Sequence, residues 1–315
     1  MKLSVIVPAY NLSPFILECL LSLLSQKTTF DYEVLVCNDC SPDNTLHVIH
    51  YLAADFPQLK ILNNETNQGL VGTMRRLLQE ATGDYIAYLD GDDVALPGKL
   101  QRQVDYLDQN PSCALVYHES DVFDAKTGKT LKLFSRDYYN AAYVPQRSTM
   151  SDLIKYSVYL QASSVMFRRH SDLLNALDHG NRIICDFPWH IMNVGFLKGS
   201  IDRIDDVLGR YRIHAQSFGG QTQVDPGRRI KVADEMAAAC RLGERFGVAG
   251  QVIQQGVNHI YFSTALYFLK LGEYTLFSQM IERSVQDELY FDQRHRLAYL
   301  NRANPELVRQ ELGFH

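Results

Sequence analysis

The sequence predicts an α/β protein: a mostly parallel central sheet flanked by helices, followed by a helical C-terminal appendage. Three observations carry this. Over residues 1–110, short apolar runs alternate with segments of helical periodicity. The apolar runs end in polar clusters of the kind that bind ligands at strand ends. From residue 228 onward the periodicity is helical almost throughout.

Taken in order, Leu3 to Val7 is an apolar strand ended by Pro8. Ser13-Pro14 opens a helix as N-cap and first helical residue, with Leu17, Leu20, Leu21 and Leu24 inward. Glu33 to Cys37 is a second strand. Ser41-Pro42-Asp43 repeats the helix-opening chemistry, and Leu46, Ile49 and Leu52 carry the buried face. Lys60 to Leu62 is a short third strand. Gly69 to Thr82 is a helix with Leu70, Met74, Leu77, Leu78 and Ala81 inward and Gly83 as its stop. Tyr85 to Leu89 is the fourth strand. A helix over 98–109 and strands at Ala114 to Tyr117, Ser163 to Phe167 and 200–213 follow, with 124–150 irregular. Three polar strand ends should converge on one cleft: Pro8-Ala9-Tyr10-Asn11, Asn38-Asp39 and Asp90-Gly91-Asp92-Asp93.

Composition narrows the function classes. A formal net charge of −5 argues against a nucleic-acid partner. A phosphate-bearing small ligand stays compatible, because a bound metal supplies local positive charge. The N-terminus lacks a secretory pattern, and no run approaches ~18 apolar residues. A cytoplasmic protein is expected, with peripheral contact at the inner face of the membrane left open. Cys37-Asn38-Asp39-Cys40 has no second ligand pair for a zinc site, so the six cysteines are read as reduced thiols.

Asp90-Gly91-Asp92-Asp93 places three carboxylates within four residues. Their mutual repulsion is relieved by a divalent cation, and hard oxygen ligands suit Mg²⁺ or Mn²⁺. A solvated acidic turn explains the same residues equally well. A calcium loop counted from Asp90 fails, since its sixth position is not glycine and its twelfth is Gln101. Leu89-Asp90-Gly91-Asp92-Asp93-Val94 also resembles the nucleophile motif of haloacid-dehalogenase-type phosphatases, with Asp90 as nucleophile. That motif belongs after a domain's first strand, and here it follows the fourth.

Residues 1–220 as a whole resemble the family 2 inverting glycosyltransferases with the GT-A fold, a Rossmann-like architecture. The resemblance runs through Ser4-Val5-Ile6-Val7-Pro8-Ala9-Tyr10-Asn11, Glu33-Val34-Leu35-Val36-Cys37-Asn38-Asp39, Asn67-Gln68-Gly69 and Asp90 to Asp92, in that order. It implies a nucleotide-sugar donor, with a lean to UDP, held by Pro8, Ala9, Tyr10, Asp39, Arg75, Asp90 and Gly91. Asp39 would contact the base and Asp90 the ribose or a sugar hydroxyl. Asp92 would ligate a Mn²⁺ or Mg²⁺ that bridges the donor phosphates, and His214, ending Tyr211-Arg212-Ile213-His214, would complete the metal shell or donate to a phosphate. Asp186, in Cys185-Asp186-Phe187-Pro188-Trp189-His190, would be the general base, and Trp189 would meet the acceptor. Both have plainer readings, Asp186 as a helix N-cap and Trp189 as core. Cys40, Cys185 and Met74-Arg75-Arg76 depart from the family pattern.

The implied reaction is transfer to a glycan or lipid-linked acceptor with inversion, in cell-surface polysaccharide biosynthesis. A phosphatase or a non-catalytic nucleotide-binding module are the alternatives. The expected division is 1–227 for the GT-A domain, donor half 1–110 and acceptor half 111–227, and 228–315 for the helical region. That region has 11 Lys/Arg against 10 Asp/Glu, so it lacks a strong lipid anchor. Its expected role is a homodimer contact, acceptor presentation or membrane contact. Residues 215–223, rich in small and polar side chains, are expected to close over the donor as a lid.

Overall fold

A computed structural model of the chain describes residues 1–138, 140–286 and 288–314. The chain divides into two compact units. The first comprises Met1–Thr149, Val158–Asp178 and Met192–Gln221. The second comprises Met150–Ser157, His179–Ile191 and Thr222–His315, so two segments ahead of residue 227 group with the C-terminal helices.

The first unit is built on a ten-stranded sheet. In chain order its strands are β1 (Leu3–Ala9), β2 (Tyr32–Asn38), β3 (Leu59–Asn63), β4 (Tyr85–Tyr88), β5 (Val94–Ala95), β6 (Cys113–Asp124), β7 (Thr130–Leu133), β8 (Arg147–Ser148), β9 (Val165–Arg168) and β10 (Ser200–Ile213). The sheet order is β3-β2-β1-β4-β9-β6-β10-β5, with β7 on β6 and β8 on β10. The first four strands pair in parallel. β9 then runs antiparallel to both β4 and β6, and β6 and β10 are again parallel. The parallel half explains the uninterrupted apolar runs: β1 is buried along its whole length, as a strand covered on both faces must be.

Helices α1 (Ile16–Leu24), α2 (Thr45–Ala53), α3 (Gly69–Glu80) and α4 (Lys99–Gln109) connect these strands. α1 begins later than the Ser13-Pro14 signal predicts. The Ser13 amide is donated to the Asp43 carboxylate at 2.9 Å, so Ser13 sits in a latched loop instead of capping a helix. Starting at Ile16 sets the buried stripe at Ile16, Cys19, Leu20, Leu23 and Leu24, an i, i+3, i+4, i+7, i+8 face. Leu17 and Leu21, expected inward, are consequently 42% and 40% exposed. Leu70 of α3 is likewise turned out. Gly83 is obligatory for packing: a Cβ there would stand 2.3 Å from the Ser4 amide nitrogen of β1. The 124–150 stretch, expected irregular, contributes β7 and β8.

Strand pairing fixes the place of every cleft residue. β1 is hydrogen-bonded to both β2 and β4, so Ala9, Asn38 and the turn after Tyr88 open at the same edge of the sheet. Below them lies the core of Val5, Val7, Leu20, Leu23, Val34, Val36, Ala87 and Met166.

The second unit is helical: α5 (Met150–Tyr156), the start of α6 (Asp186–Leu197), the end of α7 (Phe218–Val224), α8 (Pro226–Cys240), α9 (Gly250–Lys270), α10 (Tyr274–Arg283), α11 (Gln293–Leu300) and α12 (Pro305–Glu311). α9 and α10 form a helical hairpin, turning at Gly272 with φ +75°. Phe262, Phe268, Phe277, Met280 and Ile281 build its core. Asp225 caps α8 by accepting from the Arg228 amide at 2.9 Å. No helix among the described residues is long and apolar enough to cross a membrane.

Candidate active site

The β1 carboxyl end runs into Tyr10-Asn11-Leu12-Ser13, which the loop after β2 holds. Ser41 Oγ accepts from the Asn11 amide at 3.0 Å, Thr45 Oγ1 from the Leu12 amide at 2.8 Å, and Asp43 from the Ser13 amide. Asn11 and Cys40 both adopt positive φ, 57° and 55°, a conformation that asparagine tolerates better than cysteine. Cys40 therefore takes the left-handed turn that a glycine would enter without steric cost. Pro8 and Ala9 are buried, and Tyr10 is 50% exposed at the cleft edge.

Asp39 is 4% exposed, and both of its carboxylate oxygens accept hydrogen bonds. Its carboxylate accepts from the amides of Gln68 (2.8 Å) and Gly69 (2.9 Å) and from Asn64 Nδ2 (2.7 Å). It thus sits at the N-terminus of α3, where the helix dipole favours a negative charge. Arg76 donates to Asn64 Oδ1 at 2.7 Å and orients the amide that Asp39 receives. Arg75 points elsewhere, into an ion pair with Asp178 at 2.6 Å.

The acidic turn after β4 is held from three sides. Tyr88 donates its hydroxyl to Asp90 Oδ1. Ser163 Oγ accepts from the Asp90 amide at 2.9 Å and donates to Asp93 Oδ2 at 2.6 Å. Asp93 also accepts from Gln161 Nε2 (3.0 Å) and from the Arg212 amide (2.9 Å). Burial, with the charges of Asp92 and Asp90 beside it, raises the Asp93 carboxyl well above the usual range. Asp93 is therefore a structural anchor of the turn. Below it, Lys99 is completely buried; burial lowers its pKa to about 7, and its Nζ meets the Ser163 carbonyl and His118 Nε2. Gly91 has no room for a side chain: a Cβ would stand 2.8 Å from Leu12 Cδ1 and 3.0 Å from the Pro8 carbonyl.

Asp92 and His214 meet. His214 Nε2 lies 2.9 Å from Asp92 Oδ2, and the imidazole packs on Phe15 with ring centroids 4.6 Å apart. Both line a cavity of about 370 Å³ with Tyr10, Asn11, Gln216 and Phe218. Arg212 fastens the pair: its Nε donates to the Asp92 carbonyl at 2.7 Å and its guanidinium pairs with Glu18 at 2.5 Å. No group of three or more His, Cys, Asp or Glu able to hold a metal occurs among the described residues. The pair itself suits a divalent ion that takes the rest of its shell from ligand phosphates and water.

The 215–223 segment is more ordered than its composition predicts. Ser217 Oγ accepts from the Gly220 amide at 3.2 Å and the Ser217 carbonyl from the Gln221 amide at 3.0 Å, which starts α7. Gly220 is needed here, since a Cβ would lie 2.3 Å from the His214 carbonyl.

This arrangement has a precedent in sequence. The pattern described as Glycosyl transferase family 2 matches residues 4–173. The chain belongs to glycosyl transferase family 2.

Among members and relatives, the putative glycosyltransferase EpsE of Bacillus subtilis (strain 168) is 37% identical over 124 residues, 39% of this chain and 44% of that protein. The chondroitin synthase of Pasteurella multocida (strain Pm70) is 36% identical over 256 residues, 73% of this chain and 26% of that protein. The match thus spans less than half the length of either. S. aureus TarS 1–349, solved in complex with UDP-GlcNAc, has a TM-score of 0.68 at 19% identity, covering 99% of this chain and 92% of that one. The mannosyltransferase PcManGT of Pyrobaculum calidifontis, solved with GDP-Man and Mn²⁺, has a TM-score of 0.60 at 16% identity, covering 98% and 86%. These likenesses establish the GT-A fold. Family 2 membership makes the glycosyltransferase class, not the phosphatase class, the one to which this chain belongs.

The site residues expected from the sequence divide between the units. Pro8, Ala9, Tyr10, Asp39, Asp90, Gly91, Asp92 and His214 lie in the first, Asp186 and Trp189 in the second. Asp186 is the first residue of α6; its burial raises the carboxyl above its ordinary range, offset in part by backbone N–H groups. Trp189 is 1% exposed and rests against His190, a core-filling position that offers no open face to an acceptor sugar. Burial lowers His190 to about 3, so it is a neutral imidazole. Sequence reasoning missed Ser163, Gln161 and Arg212. Arg212 alone had a local signal, two residues before His214.

Proposed function

We propose that this chain transfers a sugar from a nucleoside-diphosphate sugar, a UDP-sugar in the first instance, to a glycan or lipid-linked acceptor with inversion. The observation that supports it most is the Asp92–His214 pair on the wall of a cavity shared with the Tyr10 loop. Asp92 and His214 would hold a divalent cation beside the donor phosphates. Bound Mn²⁺ or Mg²⁺ would supply Lewis-acid stabilisation of the departing nucleoside diphosphate. The solved relatives held with UDP-GlcNAc and with GDP-Man and Mn²⁺ are consistent with that donor class.

The chain's own residues do the remaining work. The Tyr10 ring, half-exposed beside the pocket, packs against base or ribose. Asp39 uses its remaining lone pairs toward the base. Asp90, oriented by Tyr88 and Ser163, accepts from a ribose or sugar hydroxyl. Asp186 takes the proton of the attacking acceptor hydroxyl, and burial, by raising its pKa, strengthens it as a base. Phe218 and Gln221, at one end of α7, cover the donor when the pocket is filled. Cell-surface polysaccharide biosynthesis is the setting this chemistry fits, at the cytoplasmic side of the membrane.

The test is a thermal-shift and calorimetric screen of UDP-, GDP- and dTDP-sugars with and without Mn²⁺. Metal-dependent binding of one donor is expected, with product NMR showing the inverted anomer. Absence of binding for all donors with metal present would sink the reading.

A further inference from the structure

We infer that Glu235, on helix α8 of the C-terminal region, is the positioning residue for Asp186. This rests on the reading of Asp186 as general base. The segment before α6 makes a sharp excursion from His179 through Gly180, which has φ +78°, to Cys185. Its backbone amides are collected by one side chain. Glu235 Oε1 accepts from the Arg182 amide at 3.0 Å, and Oε2 from the Ile183 and Ile184 amides at 2.8 and 3.0 Å. The Glu235 carbonyl accepts from Asn181 Nδ2 at 3.0 Å. Four consecutive residues are therefore tied to one residue about fifty positions later.

Three successive amides converging on a carboxylate form a concave anion seat, and here the protein supplies the anion itself. Charge-assisted bonds are the stronger kind. His179 braces the same loop, accepting from the Asn181 amide at 3.2 Å and meeting Cys185 Sγ at 3.9 Å. The bonded amides end two residues before Asp186, and the Cys185 carbonyl already accepts from the Trp189 amide as α6 begins. Fixing 182–184 thus fixes where the first turn of α6 starts, and with it the Asp186 carboxylate. A base displaced by ~1 Å loses up to ~10²-fold in rate. This gives the helical region a role beyond dimer, acceptor or membrane contact: it is an internal buttress for the base-bearing turn.

The test compares Glu235→Ala, Glu235→Gln and Asp186→Asn in the full chain, with Lys231→Ala, an exposed change on the same helix, as control. For Glu235→Ala the expected result is a fall in kcat of between about ten- and a hundred-fold, with donor affinity unchanged. Amide exchange should accelerate at Arg182, Ile183 and Ile184. Glu235→Gln, keeping one acceptor oxygen, should fall between, and Lys231→Ala should match the parent. If Asp186→Asn retains kcat, the base assignment fails first. If Asp186→Asn abolishes turnover while Glu235→Ala retains kcat, or lowers kcat, donor affinity and melting temperature together, the positioning role is overturned.

Discussion

His214 Nε2 and Asp92 Oδ2 stand 2.9 Å apart although they are separated by most of the sheet in sequence. In the proposed reading both residues would hold the same cation.

Asp92→Ala should therefore remove metal-dependent donor binding. A loss of several kcal/mol of transition-state stabilisation corresponds to a fall of about 10³-fold in kcat/KM. His214→Ala should raise the Mn²⁺ concentration needed for half-activity by about 10- to 100-fold. A Mn²⁺ titration of initial rates reads both, and unchanged metal dependence in Asp92→Ala would remove Asp92 from the shell.

Asp186 gives a pH signature. Catalysis needs the ionised carboxylate, and burial raises its pKa, so the rate should fall with decreasing pH beginning above the ordinary carboxylate range. Asp186→Asn should lose turnover. It should not lose stability at neutral pH, because a raised folded-state pKa means that the charged form opposes folding there. Rate–pH profiles and melting curves check the two halves separately.

Ser163→Ala should loosen the acidic turn. It deprives the Asp93 carboxylate of a 2.6 Å donor and the Asp90 amide of its acceptor, at a cost on the order of 1–3 kcal/mol. Donor KM should rise more than kcat falls, since Asp90 loses orientation. Steady-state kinetics with varied donor would show this.

Glu33 sets an acid limit on the fold. Burial alone would raise its pKa, but hydrogen bonds from Lys60, Ser4 and Thr82 hold it down at about 2. A depressed folded-state pKa contributes stability that is present above the unfolded value of 4.5 and disappears as pH falls toward 2. The contribution is on the order of 3 kcal/mol at neutral pH. Glu33→Gln should flatten the loss of stability between pH 4.5 and 2, as followed by denaturant unfolding.

These positions show what a linear sequence reveals. β1, β2, β4 and the Ile49 and Leu52 face of α2 were legible because a strand buried on both faces and a one-sided helix leave different periodicities, although α2 starts at Thr45 and not at Ser41-Pro42. The start of α1 was not, because Ser13 gives its amide to Asp43, thirty residues away. α7 was hidden behind Gly219-Gly220, of which Gly220 answers to close packing on the His214 carbonyl. Asp90, Asp92 and His214 were legible through their motifs. Ser163, Gln161 and Glu235 are isolated polar residues whose partners are set only by the fold. The grouping of 150–157 and 179–191 with the C-terminal helices is equally a matter of tertiary packing.

Asp39 carries one more implication, for changing the donor. In the proposed reading it faces the nucleotide base, yet it also closes the first turn of α3 through Gln68 and Gly69. A replacement chosen to favour another base would leave those amides and Asn64 without their acceptor. Nucleotide preference and helix integrity are welded at this position, so engineered variants of altered base choice should arise at Tyr10, Asn67 or Arg76 before they arise at Asp39.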